Sequence, residues 1–222
     1  MNDADIIKIE LYKYLFKYST SNFIAVPEVS ISNNISDMLV TNGNIHNFEI
    51  KSKSDSLKRL SQQIATFKKY SNLVTIVAHD KFIKKILSDP QMDGIGIISV
   101  NDKNKLTTLR EPEYRDIPAP NYLAYFNTSE LRETLRGVPQ WYKLNFIDAE
   151  KKLLELLTED EVRRLTLFRI KEKYSQEFAK RRSLIKEKKE LEALQSRFKQ
   201  YINVQVTPLT DIPYKVFRDF NY

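Results

Sequence analysis

Apolar residues recur every three to four positions over residues 5–18. Ile7, Leu11, Tyr14, Leu15 and Tyr18 form one stripe, which predicts an amphipathic helix capped by Asn2 or Asp3. The period then changes. Residues 22–32 read as extended, with Ile24, Val26, Val29 and Ile31 around Pro27. Proline has no N–H for a ladder, so this piece belongs at a sheet edge or in a loop. Beyond the turn signal Asn33-Asn34, two runs at 35–41 and 45–52 flank Asn42-Gly43, a strong hairpin signal. A helix follows over 55–70, with Leu57, Leu60, Ile64 and Phe67 on one face and Lys58, Arg59, Lys68 and Lys69 pointing away. Short apolar runs at 74–78 and 94–100 read as strands buried on both faces. A short helix over 80–87 lies between them, and 105–110 returns as a further strand after a turn at 101–104. This order predicts a compact α/β core with a mixed central sheet over residues 1–110.

The second half has another pattern. Pro112, Pro118 and Pro120 suggest a linker over 111–127. Helical periodicity fills 128–203. One helix starts at Thr128-Ser129 and is stopped by Gly137 and Pro139, and a second covers 146–157. A third opens on the capping box Thr158-Glu159-Asp160-Glu161 and runs to about Tyr201 without a Pro or Gly. Leu165, Phe168, Tyr174, Phe178, Leu184, Ile185, Leu191, Leu194 and Phe198 give it an apolar seam. Such a helix of about 40 residues is about 60 Å long and needs a partner surface to be stable. The reading therefore allows a homodimer, or a partner protein, through this helix. Residues 204–222 form a tail rich in Pro, Tyr and Phe.

Composition narrows the class. A hydrophobic fraction of 41% in 222 residues supports a real core. No run approaches the roughly 20 apolar residues of a membrane span, and the N-terminus lacks a basic start followed by an apolar block. The chain has no cysteine, which excludes disulfides, thiolate zinc sites and cysteine nucleophiles. A cytoplasmic protein is the expectation. The two histidines, His46 and His79, are too few for a histidine-rich metal centre and read as structural or exposed.

The net charge of +7 favours an anionic partner, and its distribution says more. Residues 163–199 hold 13 basic and 5 acidic side chains, whereas the remainder holds 23 basic and 24 acidic. The densest clusters are Lys180-Arg181-Arg182 and Lys186 with Lys188 and Lys189. These six, with Lys53 and Arg59 in the core, are the candidates for gripping DNA phosphates. A solvated helix face is the competing reading of the same charges.

Chemistry concentrates at residues 36–53. Asp37 on one strand, and Glu49 and Lys51 on the next, supply two acids and an amine at one end of a sheet. Hydrolysis of a phosphodiester needs phosphate charge neutralised and a hydroxide made near neutral pH. A divalent cation held by carboxylates serves both needs, and a lysine beside it orients the water or offsets developing charge. Glu49 and Lys51 are two apart and share a strand face. The register raises a difficulty. A two-residue turn at Asn42-Gly43 pairs Thr41 with Asn44 and sets Asp37 opposite Phe48, so that Glu49 points away. The site therefore requires a three-residue turn or a β-bulge between the two acids.

Asp37, eleven residues, then Glu49-Ile50-Lys51 resembles the motif of the PD-(D/E)XK nucleases. The order of helix, motif-bearing hairpin, helix and strand is also similar to theirs. The resemblance implies a restriction-endonuclease-like core, Mg²⁺ or Mn²⁺ held by Asp37, Glu49 and the Ile50 carbonyl, and Lys51 acting with the attacking water. Gln63 with Phe67 resembles the Gln-x-x-x-Tyr element of some branches, with Phe in place of Tyr. Pro27-Glu28 is similar to an upstream acid, and Glu10 matches a first-helix acid of branches resembling archaeal junction resolvases; both are candidate metal ligands. The likeness extends to a family of small bacterial proteins of unassigned role built on this core. It covers residues 5–110 well and 120–175 loosely. A metal-dependent nuclease acting on DNA is the expectation. The alternatives are a non-cleaving nucleic-acid-binding or regulatory protein on the same scaffold, a dimer built on the long helix, or acids that merely decorate a wet sheet face.

Overall fold

The structure, a computed structural model, describes residues 2–17, 23–194, 205–213 and 215–218. Helix α1 (Asp3–Phe16) is capped by Asn2, whose side chain accepts from Asp5 N–H while the Asp5 carboxylate accepts from Asn2 N–H. Strands β1 (Ile24–Ile31), β2 (Asn34–Thr41) and β3 (Ile45–Lys51) follow. Next come α2 (Leu60–Tyr70), β4 (Leu73–His79), α3 (Asp80–Leu87), β5 (Gly96–Val100) and β6 (Leu106–Arg110). The six strands form one mixed sheet in the order β1-β2-β3-β4-β5-β6. The β3–β4 and β4–β5 pairs are parallel and the other three antiparallel. Pro27 sits in β1, an edge strand, where its missing N–H costs no ladder bond.

The centre of the sheet explains the apolar runs. Val74, Ile76, Val77 and Ala78 of β4 are all fully buried, because helices cover both faces there. Helix α2 presents Leu60, Ile64 and Phe67 to the sheet, each at most 2% exposed. Full burial of such a side chain contributes about 1.5–3 kcal/mol. Residues 55–59, expected in the helix, form a loop ahead of it. Asp55 there accepts from Ser52 N–H and Ser52 Oγ at 2.7 and 2.6 Å.

Residues 111–127 are not a slack connector. Ile117, Ala119, Tyr122, Leu123 and Phe126 are buried in the same apolar cluster as the sheet. The short helix α4 (Ala119–Tyr122) brings the Tyr122 hydroxyl to Asn72 Nδ2 at 2.9 Å, and Tyr125 Oη donates to the Tyr70 carbonyl at 3.0 Å. Helices α5 (Thr128–Thr134) and α6 (Phe146–Leu156) continue the covering layer.

The long helix is shorter than expected. Helix α7 spans Glu159–Lys186, 28 residues, on the Thr158 capping box. The chain then turns through Lys188 at φ 61° into α8 (Glu190–Leu194). Residues 198 and 201 lie outside the described residues. Part of the apolar seam packs inside the chain: Leu165, Phe178, Leu184 and Ile185 are buried, the Phe178 ring meets Phe16 and Phe23 at 6.0 and 5.6 Å, and Leu191 is exposed. A last short helix, α9 (Lys215–Arg218), buries Val216. Among the described residues no helix is long and apolar enough to cross a membrane.

Candidate active site

The β2–β3 connection decides the site. Thr41 pairs with Ile45 across three residues, Asn42, Gly43 and Asn44, with Gly43 at φ 79°. The pairs Val40–His46, Leu39–Asn47 and Met38–Phe48 follow. One more step in that register sets Asp37 opposite Glu49, on the same face. The three-residue connection supplies the shift that a two-residue turn would have denied.

The hydrogen bonds lock this arrangement. Asp37 Oδ2 accepts from Ile50 N–H at 2.7 Å. Lys51 Nζ reaches Glu49 Oε1 at 2.7 Å and donates to Gln63 Oε1 at 3.0 Å. Gln63 looks inward because Phe67, four residues on, is fully buried against the sheet. Phenylalanine offers no hydroxyl there. Glu49 is 1% exposed and Lys51 8%, while Asp37 is half-buried.

Burial raises the Glu49 carboxyl to about 7. The Asp37 charge pushes the same way, and Lys51 and Gln63 oppose it. Burial also raises Asp37, against the Ile50 N–H and the charges of Lys8 and Lys51. Glu49 Oε2 is buried with no hydrogen-bond partner. A buried carboxylate with a bare oxygen beside a half-buried one is costly unless a cation joins them. A hard divalent ion with oxygen ligands fits that deficit, and Asp37 and Glu49 are the side chains that would hold it.

The other proposed ligands stand elsewhere. Among the described residues, no three or more His, Cys, Asp or Glu side chains gather as a metal site. Glu28, at φ 57°, falls between the β1–β2 pairs Pro27–Met38 and Val29–Ser36, but it is exposed and ion-paired to Lys8 at 3.2 Å. Glu10 is paired with Lys13 at 2.8 Å, and Lys13 also reaches Glu190 at 2.6 Å. Glu10 lies two positions from Lys8, about 200° around the helix, so it serves the α1–α8 contact rather than the acid pair.

Lys8 was missed. It is 8% exposed, bound to Glu28, and its charge acts on Asp37. The signal was a lysine inside an apolar stripe, with Leu11, Tyr12 and Leu15 three, four and seven positions on and all buried. His46 stacks on Phe48 with ring centroids 4.0 Å apart and bonds Thr75 Oγ1 through Nε2 at 2.8 Å, on the opposite face from Glu49. His79 bonds Asp102. Neither joins the site.

Part of the C-terminal basic cluster is committed to the fold. Arg181 is fully buried, with Nε 2.8 Å and Nη2 2.7 Å from Glu177 Oε1, and Nη1 donating to the Ala193 carbonyl. It clamps α7 to α8 and cannot meet a phosphate. Arg182 is half-buried over the Phe16 ring, and Lys189 pairs with Glu187 at 2.8 Å. Lys180, Lys186 and Lys188 are exposed. The cluster docks on the far end of α1: Phe16 is eight residues, about 12 Å, beyond Lys8. Lys53 and Arg59, by contrast, are exposed on the loop that follows Lys51, with Lys53 Nζ 2.7 Å from Asp102.

Residues 3–201 match the family described as Bacteriophage P4 protein cII. Protein cII of Enterobacteria phage P4 is 28% identical over 177 residues, covering 76% of this chain. The match spans 66% of that relative's length, just under two thirds. A protein of unknown function from Silicibacter pomeroyi is similar in structure, with a TM-score of 0.42 and 12% identity over 70% of this chain and 89% of that one. The chain belongs to the Bacteriophage P4 protein cII family.

Proposed function

We propose that this protein is a divalent-metal-dependent nuclease of the PD-(D/E)XK type that hydrolyses phosphodiester bonds of DNA. The observation that carries the reading is the alignment of Asp37 with Glu49 by the three-residue turn, with Glu49 Oε2 left bare beside Lys51. The order α1, β1–β3, α2, β4 and the placement of Gln63 support a core of that type.

Asp37 and Glu49 would hold Mg²⁺ or Mn²⁺ through oxygen, with the Ile50 main chain between them. The ion, when bound, supplies phosphate charge neutralisation and a water acidic enough to ionise near neutral pH. Lys51 is fixed by two acceptors, Glu49 Oε1 and Gln63 Oε1. An ammonium carries three N–H groups, so one remains to orient a water or to meet developing negative charge. Asp37 is itself oriented by Ile50 N–H, so the acid pair is preorganised before substrate arrives.

The test is cleavage of plasmid and linear DNA with Mg²⁺ or Mn²⁺. Cleavage should vanish in Asp37→Ala and fall at least 100-fold in Lys51→Ala, a typical scale for a lost catalytic group. A second reading, a DNA-binding protein that does not cut, draws on Glu10 and Glu28 being engaged with lysines rather than with the acid pair. Binding that persists with no cleavage under either metal would select it.

A further inference from the structure

The C-terminal helix is one candidate for a substrate grip, and the loop after β3 is another. We infer that the phosphate backbone of duplex DNA is held by the loop at residues 52–59 together with the outer face of α3, through Lys53, Lys58, Arg59, Lys81 and Lys85. This rests on the nuclease reading for its purpose, but not for its evidence.

The surface is built directly onto the acid pair. Its loop leaves β3 immediately after Lys51 and leads into α2, where the Arg59 carbonyl accepts from Gln63 N–H at 3.0 Å. Helix α3 is tied to the same loop, because Lys81 Nζ donates to the Lys53 carbonyl. Between loop, α2 and α3 lies a cleft of about 440 Å³, whose charged lining is Lys58 and Lys85 together with Asp55 and Asp89. All five cations are exposed. Among the described residues, Lys58, Arg59 and Lys85 have no ion-pair partner.

Three acids of this region accept from neutral donors. Asp55 is held by Ser52 N–H and Oγ, Asp80 accepts from Ser99 Oγ, and Asp89 caps Gln91 N–H at 3.0 Å. Among the described residues, Asp102 is the acid that meets one of the five cations, Lys53. Those bonds leave the four carboxylates charged, so the five cations exceed the acids Asp55, Asp80, Asp89 and Asp102 by one, and a polyanion releases counterions as it meets the exposed ammonium and guanidinium groups. In the C-terminal cluster Arg181 is buried and Lys189 is paired, while Lys186 and Lys188 are exposed.

The experiment is fluorescence anisotropy of a labelled 20-base-pair duplex, with the full chain in EDTA so that no cleavage intervenes. Affinity is measured between 50 and 200 mM salt. Lys58→Glu combined with Lys85→Glu should weaken binding at least tenfold, and Lys58→Ala with Lys85→Ala should lower the salt slope by about 0.9 per lost phosphate contact. Lys58→Arg with Lys85→Arg should bind as wild type. Lys186→Glu with Lys188→Glu should change affinity less than twofold. The inference is overturned if the C-terminal pair carries the larger loss, if the Lys58 and Lys85 variants bind as wild type while folded by circular dichroism, or if the wild-type chain binds no duplex. Duplex binding through this face without Mg²⁺-dependent cleavage would sink the nuclease reading and leave the grip standing.

Discussion

Asp37 accepts the main-chain N–H of Ile50 at 2.7 Å, across the end of the β2–β3 ladder. The last ladder pair is Met38–Phe48, so the carboxylate takes over where main-chain pairing stops. One bond thereby satisfies a strand N–H and aims an acid at Glu49. Its electrostatic setting includes a residue from another element, Lys8 of α1, and this makes the first prediction.

Lys8→Met removes a positive charge that acts on Asp37, and with it the Lys8–Glu28 ion pair. Loss of a nearby like charge should tighten Mn²⁺ binding by about 1 kcal/mol, or about fivefold, at an effective dielectric typical of partly buried sites. Isothermal titration calorimetry on the folded variant checks this. Unchanged or weaker binding would show that Lys8 is too far from the ion to matter.

Arg181→Met should cost about 3–5 kcal/mol by urea denaturation, because it strands Glu177, which is 2% exposed, without its partner. Arg181→Met with Glu177→Leu should recover most of that loss, since two apolar side chains replace two desolvated charges. A loss below 1 kcal/mol in the single variant would mean that the pair is wetter than its burial implies.

Burial holds His46 well below its usual value, down to about 3. The folded state therefore binds its proton more weakly than the unfolded chain, whose value is about 6.5. The stability this implies is fully present above about pH 6.5 and is lost as the pH falls from there towards 3. The acid limb should have a slope of at most about 1.4 kcal/mol per pH unit from this group, and less because the ring is only half-buried. His46→Gln keeps a polar atom near Thr75 and should flatten the limb between pH 6.5 and 5. An identical pH profile in wild type and variant would remove His46 from the account.

Much of the core was legible from local pattern. The stripe of α1, the apolar β4 and the Asn-Gly turn are short-range features, and each formed close to where its residues placed it. The motif acids were legible for the same reason, and even the needed register could be stated as a condition, because the two-residue period of a strand is fixed geometry. Glu10 and Glu28 were legible only as acids in suggestive positions. Which partner each takes depends on Lys13 and Lys8, and on where α8 and the bend at Glu28 bring those groups.

The amino-acid sequence by itself determined the succession of helices and strands, the edge placement of Pro27, the capping of α1 and α7, and the presence of two acids and a lysine on neighbouring strands. These follow from periodicity, proline chemistry and side-chain hydrogen bonding within a few residues. Tertiary structure alone decided that the hairpin takes a three-residue turn, that residues 111–127 pack on the sheet, that α7 stops at Lys186, and that Arg181 is buried while Lys58 and Lys85 line one cleft. Charge along a chain is a local property. Whether a cation is spent on the fold or left for a ligand depends on which acids and apolar surfaces the rest of the molecule brings against it.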